Sequence, residues 1–197
     1  SSILTPYVKK IGKKFDFIDN KNSRNLNNKP IVRIGGLGIF IGYSVALLFI
    51  LKISFLNSFY LIPLFIGSLM MFLLGITDDL FQLSPYLRLI FQILIATYAI
   101  SSGIAIENID LSYFGINNLV ISLPRILSYL ITIFWLVGIT NAFNWIDGLD
   151  GLASGTLLIN FITLTLTSAY FKQNDIVLII SPIIGSLIIT LFYNFKP

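Results

Sequence analysis

The chain has 197 residues, of which 56% are hydrophobic and only 11% charged, and its mean hydropathy is +0.88. A soluble domain carries roughly twice that charged fraction, so the composition excludes an ordinary globular protein and points to the membrane. The net charge is +4, and there is neither Cys nor His. That excludes disulfides and thiolate metal sites, together with the commonest general base and transition-metal ligand. Chemistry is left to carboxylates, amides, Lys, Arg and the backbone, and any metal is expected to be a hard, oxygen-liking cation such as Mg²⁺. No ten-residue stretches of apolar/polar alternation occur, so apolar helices are expected rather than barrel strands.

Residues 1–34 form a polar, basic arm. It carries Lys9, Lys10, Lys13, Lys14, Lys21, Arg24, Lys29 and Arg33 against Asp16 and Asp19. No short apolar run followed by a small-residue cleavage site marks a signal peptide. Such an arm suits an anionic membrane surface. Its end, Arg33-Ile34-Gly35-Gly36, could also fold over a phosphate-bearing ligand, because two glycines allow close backbone approach.

Six apolar stretches follow, near 35–53, 58–76, 87–105, 124–141, 153–171 and 176–195. Each is about the 20 residues that cross a bilayer core. The expected fold is all-α, a single polytopic transmembrane helix bundle over 35–197. Charge orients it. The arm and the connections on its side hold ten Lys/Arg, counting Arg88 and Lys196, whereas the other side holds Lys52, Arg125 and Lys172. The positive-inside rule therefore places both termini in the cytoplasm.

This topology brings four of the nine acids to one face: Asp78 and Asp79 after the second stretch, and Asp147 and Asp150 after the fourth. The Asp-Asp pair on its own is also what a helix cap would show. The second group is richer. Asn141, Asn144, Asp147 and Asp150 recur at intervals of three beside Gly148 and Gly151. Steps of three drift by about 60° on an ideal helix, and the glycines disfavour a regular helix through the whole run. The helix is expected to end there and the backbone to turn. Two carboxylate sets on one interface, without His or Cys, suit a Mg²⁺–diphosphate centre at which a lipid and a water-soluble substrate meet.

At these residues a resemblance appears. Gly75-Ile-Thr-Asp78-Asp79 followed by Asn141-Ala-Phe-Asn144-Trp-Ile-Asp147-Gly-Leu-Asp150-Gly-Leu-Ala resembles the polyprenyl-phosphate N-acetylhexosamine-1-phosphate transferases. These include the initiating enzymes of teichoic-acid and enterobacterial common antigen synthesis, with the muramoyl-pentapeptide transferase as a more distant relative. Asp19, Arg24, Lys29-Pro30, Arg33-Ile-Gly35-Gly36 and Gln92 fit the same pattern. The resemblance implies a bacterial plasma-membrane enzyme with its active site on the cytoplasmic face. Undecaprenyl phosphate would attack the β-phosphorus of a UDP-sugar, UDP-GlcNAc being expected, and release UMP with Mg²⁺ as cofactor. It implies Asp78, Asp79 and Asp147 as catalytic residues, with Asp147 holding the metal. Asn141, Asn144, Asp150, Arg33, Gly35 and Gly36 would bind substrate. Expected partners are the polyprenyl phosphate lipid, the UDP-sugar and the membrane, with a homodimer allowed and no nucleic acid.

Some positions depart from the family pattern: Lys21, Asn25, Asn27 and Val32 replace residues common in the arm. Tyr86 replaces a basic residue, although Arg88 follows. The family also continues past the position of Pro197 into a further Gly-Asp motif and a His-rich loop, and begins with one more membrane helix. The sequence is therefore expected to be a fragment, incomplete at both ends. Two rival readings remain at this stage, a cation-coupled transporter and an inactive scaffold derived from the enzyme. Transport sites place ionisable groups near the bilayer midplane, and here the acids cluster at one interface. A CDP-alcohol phosphatidyltransferase is disfavoured because Asp-Gly is not followed by Ala-Arg.

Overall fold

The computed structural model describes residues 35–53, 58–111, 119–146 and 151–194. Within them lie six helices: α1 (Gly35–Ile53), α2 (Ser58–Phe81), α3 (Pro85–Ser101), α4 (Arg125–Ile146), α5 (Leu152–Tyr170) and α6 (Asn174–Asn194). A two-stranded antiparallel ribbon, β1 (Asn108–Asp110) and β2 (Val120–Ser122), lies between α3 and α4. Segments Leu61–Phe81, Arg125–Ile146, Leu152–Tyr170 and Asn174–Phe192 are each long and apolar enough to cross a membrane. Helices α1 and α3 contribute shorter apolar stretches. The chain is an all-α, polytopic membrane protein. Large apolar side chains such as Phe49, Ile126 and Phe134 stand exposed along these helices, as lipid-facing surface requires.

The helix ends follow from local chemistry. Ser84 caps α3, its Oγ accepting from the Leu87 N–H at 3.3 Å, and Pro85 takes the first helical position, where its missing N–H costs nothing. At the other end Gly103 adopts φ 87°, while the Ile104 N–H donates to the Ala99 carbonyl and the Gly103 N–H to that of Ile100, both at 3.0 Å. This is a Schellman closure, which favours glycine at the left-handed residue. Helix α5 ends the same way around Lys172 (φ 58°), with Gln173 N–H donating to the Ser168 carbonyl at 2.8 Å. A cation there also suits the negative end of the helix dipole. In α6, Pro182 cannot donate to the Leu178 carbonyl, and the Ser181 hydroxyl donates to it instead at 3.2 Å.

The chain divides into two compact units. One comprises residues 1–56 and 145–197; in it α6 packs against both α1 and α5. Leu47 is its most deeply buried large side chain, and Tyr43, Ile180 and Leu187 are also buried. Small hydroxyl residues Ser168, Ser186 and Thr190 are buried in this unit too, and Thr190 Oγ1 satisfies itself on the Ser186 carbonyl at 2.9 Å. The other unit comprises residues 57–144, with α2 packed on α3 and a core of Leu61, Ile95, Ala96, Ile100 and Val137. Thr132 pins the start of the ribbon to α4 there. It accepts from the Ile106 N–H at 2.9 Å and donates to the Ser128 carbonyl at 2.7 Å.

Three expectations change. The second helix does not stop near residue 76 but runs to Phe81, so Asp78 and Asp79 lie in its last turns rather than in a loop. The fourth runs to Ile146 rather than 141, carrying Asn141 and Asn144 on regular helix. The ribbon was not anticipated at all. Its strands are three residues long and exposed throughout, paired Asn108 to Ser122, Ile109 to Ile121 and Asp110 to Val120. Strands that short leave no alternation to read.

Candidate active site

Within the unit of residues 57–144, the polar side chains of three apolar helices meet along one face of α3. Arg88 and Gln92 stand four residues apart on it, one above the other as helical geometry requires. Arg88 Nη1 donates to Asp78 Oδ2 of α2 at 3.0 Å, with side chains 24% and 17% exposed. One turn further along, Gln92 is buried, and its Oε1 accepts from Asn141 Nδ2 of α4 at 2.7 Å. The same Nδ2 donates to the Val137 carbonyl at 2.8 Å. Helix α3 therefore ties the polar end of α2 to the polar end of α4.

Position sharpens the meaning of the acids. The Gln82 N–H donates to the Asp78 carbonyl at 2.8 Å, and Gln82 itself turns left-handed at φ 50°. Asp78 and Asp79 thus occupy the C-terminal turn of α2, where the helix dipole is negative. An N-cap role is ruled out by that placement. The Arg88 guanidinium supplies the opposite charge that a carboxylate needs there.

Of the other residues expected at the site, Asn144 is an exposed residue on α4, three positions beyond Asn141. Gly35 and Gly36 open α1, and a side chain built at Gly36 would meet nothing within 4 Å. Arg33, Asp147 and Asp150 lie outside the described residues. Among the described residues beside them, Gly151 precedes α5 at φ 76°. A left-handed residue is where glycine is strongly favoured. Among the described residues no three carboxylates gather as a metal site would need. The available donors are all oxygen, which suits Mg²⁺ in kind. Arg88 as the partner of Asp78, and Gln92 as that of Asn141, were not foreseen. The signal was present: an Arg and a Gln one turn apart on an otherwise apolar helix call for partners.

This arrangement can be set beside known proteins. Residues 61–197 match the sequence profile of glycosyl transferase family 4. The chain belongs to that family. A Bacillus subtilis (strain 168) protein named probable undecaprenyl-phosphate N-acetylglucosaminyl 1-phosphate transferase is 33% identical over 196 residues, spanning 99% of this chain and 52% of the relative. A Thermotoga maritima undecaprenyl-phosphate alpha-N-acetylglucosaminyl 1-phosphate transferase is 34% identical over 158 residues, 80% of this chain and 46% of the relative. The phospho-N-acetylmuramoyl-pentapeptide-transferase of Enterococcus hirae is 40% identical over 88 residues, 44% of this chain and 26% of that protein. This family 4 chain thus spans about half the length of the curated relatives that cover most of it. The matched region contains Asp78, Asp79, Arg88, Gln92, Asn141 and Asn144.

Proposed function

We propose that the protein transfers N-acetylglucosamine 1-phosphate from UDP-GlcNAc to undecaprenyl phosphate, releasing UMP, on the cytoplasmic face of a bacterial plasma membrane. The product would initiate a cell-envelope polysaccharide. The observation that carries this reading is the tie of Asp78–Arg88 and Gln92–Asn141 at the ends of three apolar helices, in a chain whose relatives bear transferase names. A water-soluble nucleotide and a lipid phosphate can meet only at such an interface.

In the reaction a phosphate oxygen of the lipid forms a bond to the β-phosphorus of the sugar nucleotide. The bond from that phosphorus to the bridging oxygen breaks, and UMP leaves with the electron pair. A phosphate monoester has its second pKa near about 6, so the nucleophile is largely ionised at neutral pH and needs no strong base. This suits a chain without His. Arg88, held on Asp78, places a cation beside the acidic pair, so the lipid phosphate would meet positive charge there instead of two bare carboxylates. Asp78 and Asp79 orient that phosphate, and Asp78 can take any residual proton. Asn144 keeps the end of α4 polar for the sugar nucleotide, Asp150 contacts the nucleotide, and Arg33 with Gly35-Gly36 contacts phosphate. Asp147 would hold Mg²⁺, and the ion, when bound, would neutralise diphosphate charge and favour the departure of UMP.

The test is UMP release from UDP-GlcNAc by the full-length protein in membranes, with added polyprenyl phosphate, with and without Mg²⁺. Turnover that needs all three components is expected. Asp147→Asn keeps shape and removes charge; unaltered turnover in that variant would sink the metal assignment. Absence of turnover by the wild type would return the choice to a transporter or a scaffold.

A further inference from the structure

Gln92 and Asn141 do more than fill a polar gap. The backbone carbonyl of Val137 can only accept, so the Asn141 atom 2.8 Å from it must be the amide nitrogen. That same nitrogen stands 2.7 Å from Gln92 Oε1. The two N–H groups of Asn141 are thus directed to two protein acceptors, and its only remaining hydrogen-bonding group is the carbonyl oxygen Oδ1, for which no partner is found among the described residues. Gln92 is buried on α3, where its side chain has little freedom to turn away. Without it, one Asn141 N–H would be left to seek an acceptor elsewhere, and phosphate oxygens are the acceptors most abundant in a nucleotide-sugar site.

We infer that Gln92 is a positioning residue that holds Asn141 as a hydrogen-bond acceptor, so that Asn141 receives an O–H or N–H group of the sugar nucleotide and does not engage a phosphate oxygen. The inference rests on the transferase reading and refines the part Asn141 plays in it. It separates the work of two neighbouring pairs on α3. Arg88–Asp78 deals with phosphate, whereas Gln92–Asn141 deals with the uncharged donors of the sugar nucleotide.

The experiment is a kinetic double-mutant cycle on the full-length enzyme, with KM measured separately for UDP-GlcNAc and for polyprenyl phosphate. Gln92→Met keeps length and removes both polar atoms. It is expected to raise KM for UDP-GlcNAc about tenfold, the scale of one neutral hydrogen bond, with KM for the lipid changed less than about twofold. In an Asn141→Ala background, adding Gln92→Met should change KM for UDP-GlcNAc by less than about twofold, because the partner through which it acts is gone. An equal rise in both backgrounds overturns the inference, and so does a rise confined to the lipid. Should Gln92→Met give no folded protein, Gln92→Ala takes its place in the same cycle, and the same outcomes decide. A wild type that turns over no UDP-sugar overturns the transferase reading and this inference with it. Turnover with the wrong split overturns the inference alone.

Discussion

Replacing Arg88 by Met should cost the protein about 2.5 kcal/mol, and the cost should depend on Asp78. A fully exposed ion pair contributes about 0–1 kcal/mol, and orphaning one partner of a fully buried pair costs about 3–5 kcal/mol. The side chains of Arg88 and Asp78 are 24% and 17% exposed and joined at 3.0 Å, which places them between these limits, near about 2 kcal/mol. Asp78 also lies in the C-terminal turn of α2, where an uncompensated carboxylate opposes the helix dipole and adds about 0.5 kcal/mol. The assay is reversible unfolding of the full-length protein in mixed micelles. In an Asp78→Asn background, where there is no charge to orphan, Arg88→Met should cost less than about 0.5 kcal/mol. Equal costs in the two backgrounds would show that Arg88 stabilises by packing its stem, and would refute the argument from charge.

Four other outcomes are expected. Gln82→Gly should stabilise by about 1 kcal/mol, because Gln82 sits at φ 50°. Gly103→Ala should cost a similar amount, since its φ is 87°; both can be read from the same unfolding titration, where a destabilising Gln82→Gly would contradict the left-handed geometry. In a cysteine-free background single cysteines report topology cleanly, and these 197 residues contain none. Glu107→Cys should react with a membrane-impermeant thiol reagent in intact cells, and Tyr86→Cys only after permeabilisation; the reverse would invert the orientation drawn from charge. Chelation by EDTA should abolish UMP release and added Mg²⁺ restore it, whereas turnover persisting in the chelator would remove the metal from the proposal.

Much of the fold was legible because lipid imposes one rule, that backbone polar groups be satisfied within the segment. Each apolar stretch of about 20 residues therefore became a helix near its expected place. The helix ends near the site were not legible. A reading based on hydropathy stops at Ile76 or Asn141, where polar residues begin, but the backbone bonds of α2 and α4 continue to Phe81 and Ile146. Both extended ends carry a contact to α3: Arg88 meets Asp78, and Gln92 meets Asn141. Arg88 is ten residues from Asp78 and Gln92 forty-nine from Asn141, and no helical or strand periodicity encodes either contact. The residues expected to carry the chemistry were visible in the sequence as a cluster of amides and acids. Their division between a charged pair and a neutral pair arises only where the helices pack.

That division bears on why acids stand at the end of α2. Two adjacent carboxylates repel, and the last turn of a helix is the least favourable place for them, each costing about 0.3–1 kcal/mol against the dipole. A loop would hold the same residues at less cost but with less precision. A helix end holds them more rigidly, as the proposed phosphoryl transfer would require. The structure meets part of the cost with Arg88, and it draws Arg88 from the helix that also carries Gln92. Helix α3 is thereby the common support of both pairs. A glycine placed at its exposed Leu89, between them, should loosen the helix locally by about 1 kcal/mol and impair the handling of both substrates. A change at Asn144, on α4 alone, should impair only the sugar nucleotide. If the Leu89→Gly variant altered KM for one substrate and left the other untouched, the two pairs would be independent sites that merely share a helix.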